Sequence, residues 1–131
     1  MLRRFVAATE TEVEEFPGQL NRWYFKDGLG DAENLALVRG CLAQGGGHPF
    51  HNHPEMDEII YVLSGEMRQW LETESRILRA GDSLYIPRGV IHGCKNEQAT
   101  PCEFLAILTP GKIVGPLSID YSTVEPWASL L

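Results

Sequence analysis

The chain holds only three cysteines and four histidines, and no apolar run approaches the roughly 20 residues that span a bilayer. The odd cysteine count, with Cys41, Cys94 and Cys102 widely spaced, matches neither a disulfide framework nor a zinc ribbon. A reducing, cytoplasmic setting is the simplest reading. Basic charge is scarce: 11 lysines and arginines face 18 acidic residues, for a net charge of −7. That balance argues against nucleic acid or a membrane surface as a partner. Arg3 and Arg4 are not followed by a long apolar stretch, so the N-terminus does not read as a signal peptide. Repeats and low-complexity segments are missing. Helical signals are weak as well. Residues 9–15 read as one acidic turn capped by Thr9 or Thr11. Residues 125–131 read as a short terminal helix with Pro126 near its first turn.

What is present is a punctuated β pattern. At 131 residues, 44% apolar, the chain has the size of one domain spanning 1–131 and enough apolar material for a core. Thirteen glycines and eight prolines break it into short runs of strand-forming residues, which favours an all-β sandwich or barrel. Strands are expected over 35–42, 58–63, 83–86, 90–95 and 102–109, with shorter pieces at 51–53 and 75–79. Residues 66–72 read as the hairpin partner of 58–63, and Glu72-Thr73-Glu74 as a solvated tip. Trp23-Tyr24-Phe25 sits in an N-terminal strand, where core packing is the favoured role and a dimer surface the alternative.

The chemistry concentrates in a few residues. His51 and His53 lie two apart, so on a strand they share a face while Asn52 points the other way. Residues 54–57 are enough to turn the chain, and Glu58 then opens a strand whose inner face continues through Ile60 and Val62. That parity prefers Glu58 to Asp57. His92 follows the Pro87-Arg88-Gly89 turn and completes the set if its strand runs beside the first. Three neutral imidazoles and one carboxylate suit a divalent first-row metal such as Fe, Mn, Ni, Zn or Cu, without selecting among them.

In these positions the chain resembles the cupin superfamily. The first cupin motif, G-(x)5-H-x-H-(x)4-E-(x)6-G, is met at 45–65 by Gly45, His51, His53, Glu58 and Gly65. The second, G-(x)5-P-x-G-(x)2-H-(x)3-N, is met at 81–96 by Gly81, Pro87, Gly89, His92 and Asn96. The resemblance implies a double-stranded β-helix, or jelly-roll barrel, that binds one metal through His51, His53, Glu58 and His92. It is similar to the ligand set of metal-dependent dioxygenases for small oxygenated molecules. The expected function is therefore a dioxygenase-like oxidoreductase with a small-molecule substrate. The alternatives are a non-redox isomerase, cyclase or lyase, with Glu58 as catalytic base, and a binding barrel without turnover. Small cupins also imply a homodimer, with the N-terminal aromatics or residues 110–131 covering a sheet edge.

Around the metal set, Tyr85, Trp70, Cys94 and Phe104 are candidate pocket walls, with plain core packing as the competing role. Arg39, Arg68 and Gln69 are strand residues that either meet a substrate or face solvent. His48 has the opposite strand parity to His51, which directs it away from the metal. Asn96 reads as structural.

Overall fold

In the computed structural model, which describes residues 3–30 and 32–131, eleven strands form two antiparallel sheets. They are β1 (Glu12–Phe16), β2 (Gln19–Phe25), β3 (Ala36–Leu42), β4 (Gly47–Asn52), β5 (Asp57–Ser64), β6 (Glu66–Leu71), β7 (Glu74–Arg79), β8 (Ser83–Ile86), β9 (His92–Lys95), β10 (Cys102–Thr109) and β11 (Ile119–Asp120). One sheet runs β1-β2-β3-β10-β5-β8 and the other β11-β4-β9-β6-β7. This is the expected jelly-roll barrel.

Strict alternation explains the strands. β3 and β10 each bury every second residue, starting from Ala36 and Cys102. The buried set, with Leu42, Val62, Met67, Ile86 and Phe104, fills the space between the sheets. A second cluster lies on the outer face of the other sheet. There Phe50, Trp70 and Ile91 are covered by Tyr121 and Trp127 of the C-terminal segment. Among the described residues, no helix is long and apolar enough to cross a membrane.

Two local expectations are corrected. Residues 66–72 do not pair with 58–63: β5 pairs with β10 and β8, whereas β6 pairs with β7 and β9. The chain changes sheet at Gly65, which has φ 73° and where a Cβ would stand 2.3 Å from the Pro101 carbonyl oxygen. Only glycine fits such a crossing. Residues 9–15 form no acidic helical turn: a 3-10 turn covers Ala8–Glu10 and β1 starts at Glu12. Pairing of β1 with β2 outweighs the weak helical tendency, and its Glu14 accepts from Asn21 Nδ2 at 3.0 Å. At the other end the helix shrinks to a 3-10 turn over Trp127–Ser129, with Pro126 just before it.

Candidate metal centre

β4 and β9 lie side by side with His51 directly opposite His92. His53 follows the end of β4, and Glu58 comes from β5 in the facing sheet. The imidazole centroids lie 4.3 Å apart for His51–His92, 4.9 Å for His51–His53 and 5.2 Å for His53–His92. One ring nitrogen from each of the three falls within 4.8 Å of the others, close enough to hold a metal ion. Glu58 Oε1 stands 3.2 Å from both His53 Nε2 and His92 Nε2. Asp57, by contrast, turns outward and pairs with Arg88. Asn52 points away too, donating to the Gly89 carbonyl at 3.1 Å.

The rings are held from behind. His51 Nδ1 lies 2.7 Å from the Pro49 carbonyl, His53 Nδ1 2.9 Å from that of Leu117, and His92 Nδ1 3.0 Å from that of Val90. A carbonyl only accepts, so each Nδ1 carries the proton and each neutral Nε2 offers its lone pair inward. Glu58 is 7% exposed, and with neutral rings its Oε1 has no hydrogen-bond partner. A buried carboxylate oxygen facing imidazole lone pairs is costly unless a positive charge sits among them. A proton on His53 or a metal ion supplies that charge, so the donor set fits a divalent cation.

The electrostatics agree. Burial pushes His51 down to about 3, helped by repulsion from His92 and His48. Burial also opposes charge on His53, but the hydrogen bond and charge of Glu58 prevail and raise its pKa. Burial would raise Glu58; His53 and His92 overcome it and hold the carboxyl well below the usual carboxylate range.

The site opens into a cavity of about 540 Å³ between the sheets. Of the expected wall residues, Cys94 and Phe104 line it and Trp70 and Tyr85 do not. Tyr85 is 55% exposed on β8, on the face opposite the core. Trp70 shares its outward face of β6 with Arg68 and packs in the outer cluster against Phe50. Its neighbour Gln69 is the one that faces the cavity. Arg39 and Arg68 pair with Glu103 and Glu97 and line no wall. Burial pushes the Cys94 thiol up to about 12.

His48 is the main surprise. Its register with β9 shifts between His48 and His51, and the bulge turns His48 onto the cavity side, 5.6 Å from the His51 ring. Pro49 lies in that shift and has no N–H for the ladder, a signal that could have flagged the bulge. Burial pushes His48 down to about 4. Gln19 Nε2 makes a short contact to His48 Nε2 and also reaches Asn21 Oδ1 at 3.1 Å. Gln19 and Asn21, both buried cavity residues, carried no motif that would mark them. Asn96 is structural as expected, donating to the Leu42 and Thr100 carbonyls.

Comparison with known proteins agrees with this architecture. Residues 38–108 match the family model described as a Cupin domain. The chain belongs to the cupin family. Curated relatives of this cupin include an oxalate oxidase from Triticum aestivum, 32% identical over 124 residues, covering 86% of this chain and 50% of that protein. Another is a germin-like protein from Arabidopsis thaliana, 31% identical over 105 residues, covering 76% of this chain and 43% of that one. The chain thus spans about half the length of the curated relatives it matches. A solved polyketide cyclase, RemF from Streptomyces resistomycificus, matches it in fold at TM-score 0.72 and 22% identity over 99% of both chains.

Proposed function

We propose that this cupin is a metal-dependent, dioxygenase-like oxidoreductase acting on a small oxygenated molecule, with His51, His53, Glu58 and His92 as ligands of one divalent first-row ion. The observation that carries the reading is the convergence of three inward Nε2 atoms and a partnerless carboxylate oxygen at the wall of an internal cavity. His51, His53 and His92 from one sheet and Glu58 from the other would hold the ion at the cavity, and four protein ligands leave coordination positions for substrate. The similarity to an oxalate oxidase supports redox chemistry over a structural metal.

When bound, the ion would supply an electrophilic and redox-active centre. The chain's own residues do the rest. The carbonyls of Pro49, Leu117 and Val90 fix the imidazole tautomers. Glu58 stays ionised and offsets the charge of the ion. Trp23, Val38, Ile60 and Leu108 form an apolar wall that excludes water from the bound substrate. The Cys94 thiol stays protonated and does not compete as a thiolate ligand.

Three free cysteines support a cytoplasmic setting. A homodimer is part of the proposal. The segments first expected to cover an edge are used within the chain, since Trp23 joins the core and β11 pairs with β4. One exposed apolar surface for a second copy is the row Ile107–Ile59–Tyr85 across β10, β5 and β8. Sedimentation at micromolar concentration showing only monomer would remove that part.

The deciding experiment is elemental analysis of anaerobically purified protein, followed by oxygen uptake with a panel of small enols and diols. The expected result is about one first-row metal per chain and uptake that disappears in His92→Ala. A fully iron-loaded protein that consumes no oxygen on any panel member overturns the redox reading. Turnover without oxygen would instead favour isomerase, cyclase or lyase chemistry with Glu58 as base.

A further inference from the structure

Gln19 and Asn21 are buried polar residues that the metal centre does not use. They stand two apart on β2, both on the cavity wall. Buried amides are costly unless hydrogen-bonded, and these bond in a line. Asn21 Nδ2 donates to Glu14 Oε1 at 3.0 Å. Gln19 Nε2 donates to Asn21 Oδ1 at 3.1 Å, and the same Nε2 meets His48 Nε2.

That line has one possible polarity. A carboxylate only accepts, so Asn21 must present its NH2 to Glu14 and its oxygen to Gln19. An amide oxygen also only accepts, so Gln19 must present its NH2, whose second hydrogen goes to His48 Nε2. Burial keeps the His48 ring neutral near neutral pH. Its Nε2 accepts, so its single ring proton sits on Nδ1. An exposed carboxylate on β1 thus sets the tautomer of a ring inside the barrel.

The protonated nitrogen is left open. Among the described residues no group meets His48 Nδ1. Nor is it one of the fully enclosed polar atoms without a partner, which belong to Asn52, Glu58, Gln69 and Trp127. His48 lines the cavity, its ring 5.6 Å from that of His51 and edge-on to Phe104 at 6.3 Å. It is not one of the three imidazoles whose nitrogens cluster within 4.8 Å. Other N–H side chains on the wall are engaged: Asn21 and Trp23 by Glu14, and Gln69 by the Trp70 carbonyl. No lysine or arginine lines the cavity among the described residues.

We infer that His48 is a substrate-recognition residue whose Nδ1–H donates to an acceptor atom of the substrate. Glu14, Asn21 and Gln19 are the positioning residues that keep it a donor. The inference rests on the metal reading above for the rest of the substrate. His48 adjoins a ligand ring, so the substrate class is a small molecule with an acceptor oxygen close to the oxygens that would meet the ion. An analogue with a methylene in that place leaves the N–H unpaired and is rejected.

The test uses the full chain loaded with zinc, which has no redox chemistry. Nitrogen–proton correlation NMR of the histidine rings reads the tautomer. Calorimetry compares methoxyacetohydroxamic acid with butyrohydroxamic acid, which differ by an oxygen for a methylene beside the chelating group. The expected tautomer of His48 is protonated at Nδ1 and bare at Nε2. The affinity ratio of the methoxy probe over the butyro probe should be about fivefold higher in the wild type than in His48→Leu, the worth of one hydrogen bond. Zinc stoichiometry should be the same in both. Gln19→Glu sets an acceptor against Nε2, so it should move the proton there and lose the fivefold with His48 still present. A purely structural role for Gln19 would not do this, and the variant serves equally if His48→Leu does not fold. A proton on Nε2 in the wild type, a ratio unchanged in His48→Leu or in tautomer-reversed Gln19→Glu, or loss of zinc from His48→Leu would overturn the inference. A Gln19→Glu protein that keeps the wild-type tautomer would overturn the positioning role. The metal reading fails by a different result: a chain that holds no zinc and binds neither probe while His48 keeps the assigned tautomer.

Discussion

Gly40 and Phe104 offer a sharp test of how the cavity wall is built. They are directly opposite each other on β3 and β10. A Cβ at Gly40 would stand 2.3 Å from Phe104 Cζ and 2.6 Å from its Cε1. Carbon atoms prefer about 3.5–4.0 Å, so Gly40→Ala forces the ring back by more than about 1 Å, toward the cavity and the His48 ring. The expected cost is about 1–3 kcal/mol of overpacking. Phe104→Leu alone costs a comparable amount, because it removes ring atoms from a buried position. In the double variant the shorter side chain vacates the space that the new methyl needs. The alanine penalty should then largely vanish, giving a coupling of about 1–2 kcal/mol that favours the pair. Urea unfolding of metal-free protein, followed by the strand signal, measures all four stabilities. Additivity within about 0.5 kcal/mol would refute the contact. Metal stoichiometry should be unchanged throughout, since neither residue is a proposed ligand.

His51→Ala and His92→Ala should each strip most of the metal, as measured by elemental analysis after dialysis. A double variant retaining stoichiometric metal would sink the ligand assignment. Glu58 raises the His53 pKa in the metal-free fold, so their ion pair adds stability fully below the ordinary histidine value of about 6.5 and loses it as pH rises through the folded value. Below about 6.5 the depressed His48 and His51 cost stability in both proteins, so from pH 6 to pH 8 the melting temperature of chelated wild type should gain less than that of Glu58→Gln. Equal slopes would refute the pairing. Metal added to the wild type should raise the melting temperature in proportion to the logarithm of its concentration, as differential scanning fluorimetry would show. No shift at a hundredfold excess would contradict the site.

Much of the centre was legible because strand parity is a rigid rule where the ladder is regular. It separated Glu58 from Asp57 and His51 from Asn52, and the structure orients all four accordingly. His48 escaped the rule because Pro49 interrupts the ladder and a bulge inverts the parity. Trp70 and Tyr85 were misplaced for another reason. Both lie on outward strand faces, where Trp70 finds cover under the C-terminal segment and Tyr85 stays exposed, a difference that strand propensity does not encode. Pairing partners were harder still. From β3 to β6 the chain alternates between the two sheets, so the short link at Gly65 looks like a hairpin while being a crossing. Gln19 and Asn21 share a face of β2 two residues apart, a spacing that marks a common face but no chemistry, and Gln69 reaches the same wall from β6.

The carbonyl of Leu117 behind His53 has a consequence for the order of assembly. His53 and Leu117 are 64 residues apart in the chain. During synthesis the other two imidazoles can be backed by carbonyls only two residues away, as soon as their own strands form. His53 must wait until the segment leading into β11 has emerged and docked. A nascent chain stopped before that point would present a two-histidine half-site, and the complete trap for an ion forms only once the barrel is closed.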